Sequence, residues 1–169
     1  ILDHAIAAVK IGSLMGDTVE VKQIMLDGVE LTIEQKGLTN NLQDIIKNLP
    51  EADETTEEKA PGKKLVIREL DIKNVMVKVQ ILPVGGGKMT TIPLKLEPIK
   101  MQELGTDDKM DIAILTKKII LALAAGVTKQ GVGELPQEML DTMTTTLGKT
   151  LDLGKAATEK GLEAIGAGK

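Results

Sequence analysis

Two stretches decide how this chain folds: Val19-Glu-Val-Lys-Gln-Ile-Met-Leu-Asp-Gly-Val-Glu-Leu-Thr-Ile-Glu-Gln35 and Leu65-Val-Ile-Arg-Glu-Leu-Asp-Ile-Lys-Asn-Val-Met-Val-Lys-Val-Gln-Ile81. Side by side they are copies of one pattern. Val19, Val21, Ile24, Leu26, Val29, Leu31 and Ile33 in the first correspond to Leu65, Ile67, Leu70, Ile72, Val75, Val77 and Val79 in the second. Apolar residues at every second position mark strands with one buried face. The alternation slips by one position after residues 21 and 26, and likewise after 67 and 72. A slip turns every later side chain to the other face unless a bulge or turn restores it. Asp27-Gly28 and Lys73-Asn74 carry residues that tolerate a positive φ, so each copy reads as a strand, a tight turn and a returning strand. All these apolar side chains are expected on one side of a curved sheet. Covered by helices, that side is core; left open, it is a surface that demands a ligand such as lipid.

The flanks extend the sheet. Ala5 to Ile11 reads as an additional strand. After the turn cluster Pro83-Val-Gly-Gly-Gly-Lys88, residues Met89 to Gly105 carry alternating Ile92, Leu94 and Leu96, then Ile99, Met101 and Leu104. Pro93 and Pro98 lack a ladder donor and place this segment at an edge or on bulges. Thr39-Asn40 can cap a helix over about residues 40–49, with Leu42, Ile45, Ile46 and Leu49 at helical spacing before Pro50. Residues 51–64 read as an acidic mobile loop. Asp107-Asp108 lead into a helix carrying Ile112, Leu115, Ile119, Ile120 and Leu123, which Gly126 to Gly133 is expected to break. Pro136 suits the first turn of a further helix with the stripe Met139, Met143, Leu147 and Leu151, a candidate for docking a partner or a second copy. The expected fold is α+β: a mostly antiparallel, twisted sheet of about five to seven strands. It comprises a β-rich part over residues 1–105 and a helical segment over 106–169.

Composition narrows the chemistry. The 169 residues include no Phe, Trp, Tyr or Cys and a single His, His4. Disulfides, thiolate sites, aromatic stacking on bases and multi-histidine sites within one chain are thereby excluded. Lys and Arg number 21 against 25 Asp and Glu, for a net charge of −4, which argues against nucleic acid as a partner. No run is apolar enough to span a bilayer. The chain opens on Ile1 rather than Met, which leaves room for an upstream signal or anchor.

The remaining motifs have structural readings. Gly85-Gly86-Gly87-Lys88 lacks the spacing of a phosphate loop and is followed by Met89, so it reads as a hairpin. The run Glu51, Asp53, Glu54, Glu57 and Glu58 lacks the regular oxygens of a calcium loop. Asp107, Asp108 and Asp111 suit capping and the dipole of the following helix. No catalytic residue, metal ligand or cofactor-binding motif emerges, and the expected class is not an enzyme.

The order Ser13-Leu-Met-Gly-Asp-Thr-Val-Glu-Val-Lys-Gln-Ile24, Val29-Glu-Leu-Thr-Ile-Glu34 and Thr39-Asn-Asn-Leu42 resembles the AsmA-like family of bacterial envelope proteins. Lys64-Leu-Val-Ile-Arg-Glu-Leu70 resembles that family's second such strand. Thr91-Ile-Pro-Leu94, Ile99 and Leu104-Gly105 resemble its closing segment. The likeness covers roughly residues 6–125. It implies a membrane-tethered periplasmic protein whose hydrophobic β-groove serves phospholipid traffic or outer-membrane homeostasis, with phospholipid or membrane as partner. The family's usual N-terminal transmembrane helix is not in this stretch. The alternative is a structural module that self-associates or docks a protein through its C-terminal helices.

Overall fold

The computed structural model of the chain describes residues 1–48, 63–83, 85, 87–106 and 110–152. Its strands are β1 (Leu2–Val9), β2 (Thr18–Lys36), β3 (Thr39–Asn40), β4 (Lys64–Lys73), β5 (Val75–Leu82), β6 (Thr90–Leu96) and β7 (Ile99–Leu104). Its helices are α1 (Asn41–Lys47), α2 (Ile112–Gln130) and α3 (Gln137–Asp152), with a 3-10 turn over Ile11–Met15 between β1 and β2. The strands form one seven-stranded mixed sheet, and the class is α+β.

The two copies of the repeat do not fold back as hairpins. β2 runs unbroken for 19 residues through Asp27-Gly28. β4 and β5 continue one another past Asn74, and both lie parallel to β2. The pairing keeps the register of the repeat itself: Thr18 lies beside Lys64 and Lys36 beside Leu82, 46 positions apart throughout. The hairpin reading fails because Gly28 and Asn74 are single left-handed residues at matching levels, which shift the phase of both ribbons without reversing them, and between the copies the chain crosses over by way of α1. That crossover makes a βαβ unit, whose strands run parallel. Elsewhere pairing is antiparallel, β1 on β2, β3 on β2, β7 on β4 and β6 on β5, so the mostly antiparallel sheet has a parallel centre.

The phase slips are real and run across the sheet as two lines of irregularity. On the first, β1 shifts register between Ala8 and Val9. Pairing of β2 with β4 is interrupted at Lys22–Gln23 and Arg68–Glu69, and Glu103 of β7 has φ 52°. On the second, Gly28 has φ 71° and Asn74 φ 51°, and Glu97-Pro98 separates β6 from β7. Each ribbon slips where its neighbour slips, so cross-strand pairs survive and the apolar face stays on one side.

Three helices cover that face. Asn40 caps α1 by accepting from Gln43 N at 2.8 Å, and Gln43 Oε1 accepts from Asn40 N at 3.2 Å, a reciprocal capping box. Asp111 caps α2 by accepting from Ile114 N at 2.9 Å. The expected break at Gly126 does not occur; α2 runs on to Gln130 and ends at Gly131. Gly126 lies where α2 passes close to the sheet; a Cβ there would stand 3.1 Å from Leu96 Cδ1. Pro136 immediately precedes α3 and its carbonyl accepts from Met139 and Leu140. One buried cluster joins sheet and helices, from Ile67 and Val77 through Leu123 and Val127 to Met139 and Met143.

Candidate functional site

The two copies of the repeat are buried to different extents. In the second, Ile67, Leu70, Ile72, Val75, Val77 and Val79 are fully buried and Leu65 is half-buried. In the first, only Val21 and Ile33 are buried, while Val19, Ile24, Leu26, Val29 and Leu31 are half-buried against the core. Position in the sheet explains the contrast. β4 and β5 lie between β2 and the β7–β6 ribbon, under the helices. Among the described residues β2 has β1 or the short β3 on its other side, and α1 meets it near its C-terminal end, where Asn41 bonds the backbone of Thr32 and Glu34. Among the described residues the apolar face is therefore covered over β4 and β5, partly covered along the first half of β2 and exposed along β1.

β1 is exposed at every residue. Cross-strand partners share a face, so Leu2 with Val29, Ala5 with Leu26, Ala7 with Ile24 and Val9 with Val21 lie on the helix-bearing side. Ile6 with Met25 and Ala8 with Gln23 lie on the other. Ile1, Leu2, Ile6, Val9, Ile11, Leu14 and Met15 are between 38% and 93% exposed. Scattered exposed apolar residues are ordinary, whereas a run of them along one edge marks an interaction surface. Ser13 fixes the 3-10 turn at its end, donating to Lys10 O at 2.6 Å and accepting from Glu20 N at 2.9 Å.

Ion pairs lie on the other face of the sheet, between the apolar positions of β2 and β5. Lys10 Nζ lies 3.0 Å from Glu20 and Lys78 Nζ 2.6 Å from Glu30. The hydrogen bond and charge of Lys10 hold the Glu20 carboxyl below the ordinary carboxylate range. The hydrogen bond from Lys78 does the same at Glu30, against a smaller opposing effect of burial. On that same face Asp71 is buried, with Oδ2 3.7 Å from Lys73 Nζ and, among the described residues, no hydrogen-bond partner for Oδ1.

The other sequence candidates fall as follows. Met139, Met143 and Leu147 are buried within the chain's own core, where α3 packs on α1 and α2. Leu151 belongs to α3, and its side chain lies outside the described residues. Residues 51–62, Gly86, Asp107 and Asp108 also lie outside them. Lys88 follows the turn that joins antiparallel β5 and β6. His4 is exposed on β1 opposite Asp27. Among the described residues no cluster of His, Asp or Glu is disposed to hold a metal, and no helix is long and apolar enough to cross a membrane. The sequence reading missed the asymmetry between the copies. Its only signal was a first strand of Ala, Ile and Val without strict alternation.

No family model, no curated protein and no solved structure matches this chain.

Proposed function

We propose that this chain is a non-enzymatic lipid-contacting module of a bacterial cell envelope, acting in phospholipid transport or outer-membrane homeostasis. The observation that carries the reading is the apolar margin that, among the described residues, is exposed along β1 and half-buried along the first half of β2. Acyl chains suit such a surface because their burial is driven by area and needs no polar partner. Leu2, Ala5, Ala7 and Val9 with Ile24 and Leu26 form its floor. The resemblance of residues 6–125 to AsmA-like proteins supports the compartment and the ligand class. In this reading phospholipid or membrane is the partner and no cofactor takes part.

The test is native mass spectrometry and lipid extraction on protein purified from bacteria without detergent, with uptake of a fluorescent fatty-acid probe as a second readout. Copurifying phospholipid and saturable probe uptake are expected, both lost in the exposed-site variant Leu2→Glu/Val9→Glu. Protein that carries no lipid and takes up no probe would sink the reading.

A further inference from the structure

We infer that the corner of the sheet between β1 and β2 docks on a phospholipid bilayer, with Ile11, Leu14 and Met15 entering the acyl layer. The choice of a bilayer as partner rests on the lipid reading, whose own readout is separate. Ile11 is 80%, Leu14 45% and Met15 93% exposed, Met15 more than any other large apolar residue described. The 3-10 turn Ile11–Met15 thus holds three large apolar side chains in water within five residues. Single exposed apolar residues need no reason, but a cluster of them marks an interaction surface. Nothing described crowds the turn from above, since a Cβ on Gly12 would meet no atom within 4 Å.

The turn is suited to an apolar medium, where peptide groups must find partners within the protein. Ser13 N and Ser13 Oγ both donate to Lys10 O, at 2.9 and 2.6 Å. Gly16 N donates to Ser13 O at 3.2 Å, Glu20 N to Ser13 Oγ at 2.9 Å, and Lys63 Nζ to Leu14 O. Ser13, the one polar side chain of the turn, is therefore occupied with the turn itself. The charges around it match a bilayer surface. Lys10 precedes the turn, Lys63 reaches it, and Lys64 N donates to Asp17 O just beyond it. Within residues 10–20 and 63–65 these three lysines outnumber Asp17 and Glu20, in a chain whose net charge is −4. Lysine stems lie along apolar surface while their amines stay among the headgroups, which attract them. The turn also follows directly on Val9, which with Val21 ends the exposed margin along β1. Docking there brings the margin to the bilayer surface, where an acyl chain can pass from one to the other.

The test uses the full chain and vesicles of phosphatidylethanolamine and phosphatidylglycerol. The parent should cosediment with them, and Ile11→Ser/Met15→Ser should bind at least ~10-fold more weakly, since two large side chains no longer leave water. Both positions are exposed, so the urea midpoint of that variant should match the parent and show it folded. The chain has no aromatic residue, which makes an introduced tryptophan its sole indole emitter. Met15→Trp emission should move to shorter wavelength when vesicles are added and be quenched by brominated acyl chains. Val132→Trp, also exposed but beyond the end of α2, should not respond, which removes the affinity of tryptophan itself for bilayers as the cause. Absence of cosedimentation, equal binding by Ile11→Ser/Met15→Ser, or an equal response from Val132→Trp overturns the docking. So does Met15→Trp emission that shifts with protein concentration and not with vesicles, which marks a protein contact. Vesicle binding without uptake of the fatty-acid probe upholds the docking and sinks only the lipid-carrying reading. Probe uptake without vesicle binding does the reverse.

Discussion

Asn74 occupies in the second ribbon the place that Gly28 occupies in the first, and both take the left-handed backbone conformation. Asn74 Nδ2 also donates to Asp27 Oδ1 at 2.7 Å across the ribbons. Two neighbouring strands thus change phase at the same level and continue their parallel pairing on both sides of it. A side chain at position 28 meets two obstacles, the left-handed φ and Asp3. A Cβ there would stand 2.2 Å from Asp3 Oδ2 and 2.7 Å from Asp3 Cβ. Gly28→Ala should lose about 1–2 kcal/mol to the backbone, with the clash added. Asp3→Gly in that background should restore the steric part alone. Asn74→Gly should change stability by under ~1 kcal/mol, since backbone relief offsets the lost hydrogen bond. Urea unfolding midpoints at constant slope measure all three.

Equivalent positions of the repeat should respond unequally. Leu70 is fully buried and Ile24, its counterpart, is half-buried. Leu70→Ala removes buried methyl groups and leaves a cavity, a loss of about 2–5 kcal/mol. Ile24→Ala gives up only part of that area, and the site opens toward solvent, so about 1–2 kcal/mol is expected. Equal losses in chemical denaturation would mean that the margin along β2 is covered.

The period-two pattern and the repeat were enough to place the strands and the common apolar face, because alternation is a local consequence of the pleat. Asn40 and Gln43 likewise announced α1 through a capping box that needs only neighbours in sequence. Strand direction was not legible. Asp27-Gly28 satisfies a hairpin turn and a bulge equally well, and the matching slip of the neighbouring ribbon at Asn74 decides between them. Gly126 misled for a related reason: glycine weakens a helix locally, but α2 is held by its packing close against Leu96 on the sheet. The open margin was beyond the sequence, since Val19 and Leu65 have the same pattern and differ only in which strands flank them.

The close approach of α2 to the sheet makes Gly126 sensitive to volume. Leu96 and Ile99, the side chains that would meet a Cβ there, are buried and have little room to retreat. Gly126→Val should lose about 1–3 kcal/mol by overpacking. Gly126→Ala gains about 1 kcal/mol of helix propensity against a contact that must yield slightly, leaving it within ~1 kcal/mol of the parent. Thermal unfolding of the three proteins gives the comparison.

Acid should weaken the two ion pairs of β2 in a defined direction. Glu20 and Glu30 have folded pKa values below their unfolded ones, owing to Lys10 and Lys78. Their contribution is therefore complete above the unfolded carboxylate value and disappears as pH falls through the folded one. Carboxyl NMR titrations should place both midpoints below the ordinary glutamate value. Lys10→Met should raise that of Glu20 and leave Glu30 unchanged, and Lys78→Met should do the converse. A Glu20 midpoint indifferent to Lys10→Met would show that the pair does not persist in solution.

Glu103 offers a site where removing a side chain should strengthen the fold at high salt. It is not glycine, yet it has φ 52° on the same line of irregularity as the β1 register shift. Its carboxylate pairs with Arg68 at 2.5 Å, and both side chains are more than half exposed. An exposed pair contributes about 0–1 kcal/mol, whereas the left-handed conformation in a non-glycine residue costs about 1–2 kcal/mol. Glycine carries its own penalty from the greater freedom of its unfolded chain, of the order of 0.5–1 kcal/mol. Relief and penalties nearly balance at low salt, where the pair is strongest. At high salt the pair is screened while the backbone relief is untouched. Glu103→Gly should therefore be close to neutral in dilute buffer and gain stability relative to the parent as salt is added. Paired urea titrations at low and high ionic strength read this difference directly. A variant that loses ground as salt rises would show that Arg68 and Glu103 act by something other than an exposed charge pair.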